Sequence, residues 1–213
     1  MLIVFEGIDG SGKTTQAELL SKRLEKEGVL NEILREPGGT RVGEGIRDLL
    51  LHRKDLEIDP VTEFLLFSAS RAQLVREKIL RLAGLGRLVI LDRYFYSSIA
   101  YQSFGRGLSV DDVETISKFA TEEMAPDIVF LVMVDAKTAA ARMRNGRRSA
   151  DRMEDVNIDF LQRVSDGFLY CARKEPRRFV IVDGEEPADV ISDGIFGQVM
   201  KRIRQVTEEK NAT

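Results

Sequence analysis

Four apolar runs, Leu2 to Phe5, Leu88 to Leu91, Ile128 to Val134 and Phe179 to Val182, are continuous rather than alternating. Alternation marks a strand with one wet face, whereas an unbroken run marks a strand buried on both faces, as in a parallel sheet covered by helices. Val29 to Leu34 forms a weaker fifth run. Between them, apolar positions recur at helical spacing over Thr14 to Glu27, Val61 to Leu82, Asp111 to Glu123, Ala136 to Arg144, Ile158 to Lys174 and Pro187 to Val206. Glycine and proline punctuate the boundaries, and no repeat or low-complexity stretch breaks the order. This alternation predicts an α/β fold: a doubly wound parallel sheet of about five strands with helices on both faces. Ligands of such sheets bind beyond the carboxyl ends of the strands, so the residues that follow each run are where chemistry is sought.

The first run leads into Gly7, Ile8, Asp9, Gly10, Ser11, Gly12, Lys13, Thr14 and Thr15, and then into a helical pattern. From Gly7 to Thr14 the spacing is GxxxxGK[ST], the phosphate-binding P-loop. Small residues let successive backbone N–H groups wrap a phosphate, Lys13 neutralises it and Thr14 offers a hydroxyl to Mg²⁺. The strand before and the helix after are the context this motif requires, and they direct the chain to nucleoside triphosphates. The second run leads into Arg35, Glu36, Pro37, Gly38 and Gly39, and the third into Asp92, Arg93 and Tyr94. All three strand ends are expected on one edge of the sheet. There Asp92 has the form of a Walker B acid that holds Mg²⁺ through its water shell, and Arg93 points a guanidinium into the same cleft. A surface ion pair is the commoner fate of an Asp-Arg pair; the cleft made by the P-loop tips the balance. Five arginines, Arg142, Arg144, Arg147, Arg148 and Arg152, crowd around Asn145-Gly146. A solvated helix end would explain them in an arbitrary protein. Beside a phosphate donor, they suit a hairpin that closes over developing charge and excludes water.

Length and composition narrow the alternatives. With 213 residues, 43% of them hydrophobic, the chain is read as a single domain over 1–213 with a lid at about 143–155. Lys plus Arg total 32 against 35 acidic residues, for a net charge of -3, so nucleic-acid and membrane partners are not expected. No apolar run approaches the length that spans a bilayer, and the first residues read as a strand rather than a leader, so a cytoplasmic location is expected. Cys171, the lone cysteine, excludes an internal disulfide and a cysteine cage for metal. His52, the lone histidine, has no convincing nucleophile partner and is read as structural.

The acceptor decides what else the cleft must contain. A hydroxyl acceptor needs a base, whereas a phosphate is already largely ionised near neutrality, its second pKa being about 6. Arg35, Arg47, Arg71 and Arg93 near the inferred cleft favour a phosphate acceptor, because two polyanions must be held in line against their repulsion. The chain lacks an NKxD guanine-reading tetrad, which disfavours a GTPase. A deoxynucleoside kinase with Glu36 as base, and a non-catalytic P-loop nucleotide sensor, remain as alternatives.

With the P-loop, REPGGT at Arg35 to Thr40, DRY at Asp92 to Tyr94, AYQ, GRG and DRxE in order, the chain resembles the bacterial thymidylate kinases over nearly its whole length. That resemblance implies transfer of the γ-phosphate of ATP to dTMP, with Mg²⁺ as cofactor, ATP and dTMP as partners and a homodimer built by helix packing. It implies that Asp9 binds the 3′-hydroxyl of the acceptor sugar, and that Arg47 and Arg93 hold the acceptor phosphate. It implies that Glu36 and Pro37 belong to the same site. Phe67 and Arg71, one helical turn apart, match the residues that stack on thymine and donate to its O4, although Phe67 also suits a core position. Ser98 and Gln102 match positions near the base, and Tyr101 the tyrosine that crowds the 2′ position. Gly10 stands where some members carry a P-loop arginine, which implies the other type, with Arg147, Arg148 or Arg152 of the lid supplying the charge. Tyr96 and Met153 replace an aspartate and a phenylalanine that are more frequent in the family.

Overall fold

The computed structural model describes residues 1–53, 55–145 and 158–211. Five strands, β1 (Leu2–Glu6), β2 (Asn31–Arg35), β3 (Leu88–Asp92), β4 (Ile128–Met133) and β5 (Phe179–Asp183), form one sheet in the order β2-β3-β1-β4-β5. Every adjacent pair is parallel. The strands β1, β3 and β4, which read as unbroken apolar runs, are the interior ones. β2 and β5 are edges, half-exposed along their length; edge position accounts for the weaker apolar signal of β2, whereas Phe179 to Val182 of β5, expected to be buried on both faces, is covered on one side only.

Alternate residues of each strand face opposite ways, and each face is covered. Ile3, Phe5, Ile90 and Phe130 pack with Leu20 and Leu24 of α1 (Lys13–Lys26) and Ile195 of α9 (Ala188–Asn211). Val4, Leu91, Val129 and Leu131 pack on the other side. That side is built by α2 (Arg41–Leu51), α3 (Pro60–Leu74), α4 (Leu80–Gly84), α5 (Phe95–Ser98), α6 (Val110–Thr121), α7 (Ala136–Asn145) and α8 (Ile158–Lys174). Among the described residues no helix is long and apolar enough to cross a membrane.

Three elements differ from the sequence expectation. The helix expected over Val61 to Leu82 is interrupted by a π-helical turn at Val75–Ile79. A second wide segment, Ile99–Gly105, continues α5. Helix α2 was not expected, because Gly43 and Gly45 lower its propensity. It forms because Thr40 caps it by accepting the Gly43 N–H, and because a Cβ at Gly43 would meet the Gly38 carbonyl oxygen at 2.7 Å. Glycine there lets the helix approach the turn that carries Glu36 and Pro37.

Candidate active site

The register across β2, β3 and β1 pairs Arg35 with Asp92 and Asp92 with Phe5. Three strands therefore end in one row and release the P-loop, the Glu36 turn and the Arg93 turn at the same edge, as the sequence predicts. The P-loop bends where glycine permits it, with φ of 80° at Gly10 and 96° at Gly12. Arg93 also adopts a positive φ, 71°, a conformation that costs a non-glycine residue about 1–2 kcal/mol and aims its side chain back toward the P-loop.

The charges meet at Asp9. Arg93 Nη2 donates to Asp9 Oδ1 at 2.6 Å, Tyr101 OH donates to Asp9 Oδ2 at 2.8 Å, and Lys13 Nζ lies 3.4 Å from Oδ1. Burial alone would raise the Asp9 carboxyl, but Arg93 and Lys13 outweigh it and hold Asp9 well below the usual carboxylate range. Burial and the Arg93 charge push the Lys13 ammonium down. Burial opposes the Arg93 charge too, yet Asp9 and its neighbours raise Arg93 above its ordinary value.

A second buried pair forms the far wall. Arg71, 1% exposed, donates from Nε to Glu36 Oε2 at 2.7 Å, from Nη1 to Ser98 Oγ at 3.2 Å and from Nη2 to the Tyr94 carbonyl at 3.3 Å. Burial pushes Glu36 up to about 7 despite Arg71, and its Oε1 has no hydrogen-bond partner. Arg47 Nη1 donates to the Pro37 carbonyl at 2.9 Å.

Between these walls lies a cleft of about 290 Å³. Asp9, Lys13, Thr14, Asp92, Arg93 and Tyr101 line the side next to the P-loop. Glu36, Pro37, Arg47, Phe67, Arg71, Ser98 and Gln102 line the remainder. The structure thus brings together the predicted residues outside the lid and the P-loop backbone. The hydroxyl of Ser98 is already engaged by Arg71, so it braces that guanidinium. Phe67 is half-buried, packed against the core and also lining the cleft. Tyr96 points away: its hydroxyl donates to Glu175 Oε2 at 3.1 Å and its ring packs on Phe179. Arg147, Arg148, Arg152 and Met153 lie outside the described residues; Arg142, nearby on α7, donates to the Gly184 carbonyl at 2.9 Å.

The donor set suits a hard cation. Thr14 Oγ1 donates to Asp92 Oδ2 at 2.5 Å, and Asp92 Oδ1 is buried with no hydrogen-bond partner. One hydroxyl and one carboxylate leave most positions to water and phosphate oxygens, as Mg²⁺ prefers. Among the described residues no cluster of three His, Cys, Asp or Glu offers an all-protein cage.

Glu6 and Ser97 were not anticipated. Glu6 is fully buried; its Oε1 accepts from the Tyr94 and Ser97 N–H groups at 2.8 and 3.2 Å, and its Oε2 from Ser97 Oγ at 2.6 Å. Ser97 Oγ in turn accepts from Arg93 Nη1 at 2.9 Å. The acid closing an apolar strand thereby fixes the turn that presents Arg93. Burial pushes Glu6 from 4.5 up to about 7, against the pull of Arg93. A carboxyl raised on folding favours the fold fully below its unfolded value and loses that advantage as pH rises to the folded value. Glu6→Gln is therefore expected to flatten part of the fall in stability between pH 4.5 and 7, measured by denaturant midpoints across that range. An unchanged slope would refute the raised carboxyl.

Fold and cleft together define a P-loop phosphotransferase of the nucleotide-kinase class, with a nucleoside triphosphate loop facing an arginine-lined acceptor wall. A family model for thymidylate kinase matches residues 5–195. The chain belongs to the thymidylate kinase family. It is 47% identical to a thymidylate kinase of Caldanaerobacter subterraneus subsp. tengcongensis over 182 residues, covering 85% of this chain and 86% of that protein. A thymidylate kinase of Thermoanaerobacter sp. is 43% identical over 199 residues, 93% and 97% of the two chains. One of Kosmotoga olearia is 40% identical over 206 residues, 97% and 98%.

Proposed function

We propose that this cleft holds ATP and dTMP in line and transfers the γ-phosphate to the dTMP phosphate, giving ADP and dTDP for dTTP synthesis. The observation that carries the reading is one cleft with P-loop Lys13 at one end and Arg47, Arg71 and Arg93 along its walls. Phosphoryl transfer asks the protein mainly for alignment and charge, and this chain supplies both. The P-loop N–H groups from Gly7 to Thr15 and Lys13 hold the donor phosphates. Arg93, fixed by Asp9, Ser97 and Tyr101, and Arg47 hold the acceptor phosphate. Phe67 stacks on the base, Arg71 donates to O4, and Tyr101 crowds the 2′ position. Glu36 anchors Arg71, and Asp9 takes the 3′-hydroxyl. Thr14 and Asp92 would hold Mg²⁺, which supplies charge neutralisation between donor phosphate oxygens when bound.

The remaining charge comes from the segment 143–155, read as a lid within a single domain. At Gly10 a Cβ would meet the Ala139 carbonyl oxygen at 2.6 Å, so a P-loop arginine has no room unless α7 shifts. That supports the lid as the arginine's source. Changing Arg147 and Arg148 together to Ala is expected to lower kcat by about 10²-fold or more with a smaller rise in KM for dTMP. A change in KM alone would count against the lid reading. Val61 and Leu65 on α3 and Phe119 on α6, the last 80% exposed, are apolar positions on packed neighbours and support a homodimer through these helices. The net charge of -3 and, among the described residues, no helix long and apolar enough to cross a membrane support a cytoplasmic enzyme without nucleic-acid or membrane partners.

The test is ADP release with ATP and Mg²⁺, offering dTMP, dUMP, UMP, CMP, AMP and thymidine separately. Preference for dTMP is expected. Turnover of thymidine alone would make the acceptor a hydroxyl with Glu36 as its base, and binding of ATP without turnover of any acceptor would leave a nucleotide sensor.

A further inference from the structure

We propose that Glu63 is a positioning residue that sets which end of the Gln102 amide faces the base, and so makes the cleft select an imide base over cytosine. The inference rests on the reading of the cleft as a dTMP site. Glu63 lies in the first turn of α3, 2% exposed, and Gln102 is 2% exposed on the cleft wall. Gln102 Nε2 donates to Glu63 Oε1 at 3.2 Å, and Arg106 Nε and Nη2 each reach the same carboxylate at 3.4 Å.

A glutamine amide is nearly symmetric in shape and opposite in polarity at its two ends, so alone it serves as donor or acceptor by turning over. A carboxylate has no hydrogen to give. Beside Glu63 the amide must therefore turn its NH₂ to the carboxylate, which leaves the Gln102 carbonyl oxygen for the ligand. On the same cleft wall stands Arg71. A guanidinium carries five N–H groups, and the three hydrogen bonds to Glu36, Ser98 and the Tyr94 carbonyl leave two to donate. The wall thus offers an acceptor and a donor. Thymine and uracil present N3–H and O4 side by side, a donor and an acceptor that match. Cytosine presents N3 as an acceptor and its amino group as a donor, so both contacts clash. Glu63 removes the inversion that would let Gln102 accommodate cytosine.

The experiment measures kcat/KM for dTMP and dCMP with the whole protein and with Glu63→Gln. Wild-type protein inactive on dTMP would defeat the proposed function itself, whatever Glu63 does. With wild-type activity established, Glu63→Gln is expected to lower the dTMP:dCMP ratio of kcat/KM by about tenfold or more, because the buried mismatch it relieves is of that order. A merely structural role would lower both values by one factor, and an unchanged ratio in folded Glu63→Gln overturns the proposal. Gln102→Met removes the acceptor without touching Glu63, so it keeps the test open if Glu63→Gln melts early. Its ratio must fall too, and an unchanged ratio overturns the proposal. In the double variant the ratio should stay at the Gln102→Met value, whereas a further full drop would show that Glu63 acts independently of Gln102.

Discussion

Lys13→Ala is expected to cut kcat by about 10²–10³-fold or more while the protein stays folded. Lys13 is the cation that the P-loop carries toward the donor phosphates, and its pull is exerted in a cleft where water screens little. The side chain is buried but makes only long contacts of 3.4 Å to the Ile8 carbonyl and Asp9. Its loss therefore leaves the core intact and relieves the crowding of two cations around one carboxylate. Steady-state ADP release, with thermal melting alongside, separates the outcomes. Normal turnover by a folded Lys13→Ala protein would overturn the P-loop assignment.

Arg93→Ala should cost activity and stability together. The guanidinium contacts Asp9, Ser97 and Tyr101 in one arrangement, and it lies over the Tyr101 ring at 5.0 Å. On the proposed role of Arg93 the acceptor phosphate then loses a cationic donor, and kcat/KM for dTMP is expected to fall about 10³-fold. Asp9, part-buried, keeps Tyr101 and Lys13 but loses its nearest cation, which destabilises the fold by about 1–3 kcal/mol. The backbone adds nothing, since alanine meets the same strain as arginine at this φ. Arg93→Lys restores charge without the fork and should recover stability more than rate. If Arg93→Ala kept full kcat/KM for dTMP, the acceptor clamp would have to lie elsewhere.

Continuous apolar runs announce strands locally, so β1, β3, β4 and the edge strand β5 were legible to within a residue or two. The P-loop was legible for the same reason: its chemistry is written in adjacent positions. Helix α2 was hidden because its glycines speak against it until the Gly38 turn it packs on is known. The Phe95–Gly105 segment was hidden because its wide turns and apolar sides blur helical spacing. At the site, Glu6 and Glu63 carried no visible signal. Each works on a residue far along the chain, Ser97 for Glu6 and Gln102 for Glu63. Glu63 also passes for an ordinary acid at a helix start, where the dipole favours one anyway. Local pattern finds residues that touch ligands through a motif; it misses those that hold other residues in place.

The row formed by Arg35, Asp92 and Phe5 has a consequence for how such a chain can change over time. Donor and acceptor halves are indexed to each other by the ladder itself. Deleting one residue from β1 or β3 would slide one half past the other by about 3.3 Å, several times the roughly 0.5 Å that a reacting arrangement tolerates. These strands can therefore drift in composition, Val for Ile or Leu for Val, but not in length. Variation in length is channelled to segments off this row, and insertions there lengthen the chain without resetting the distance between the two phosphates.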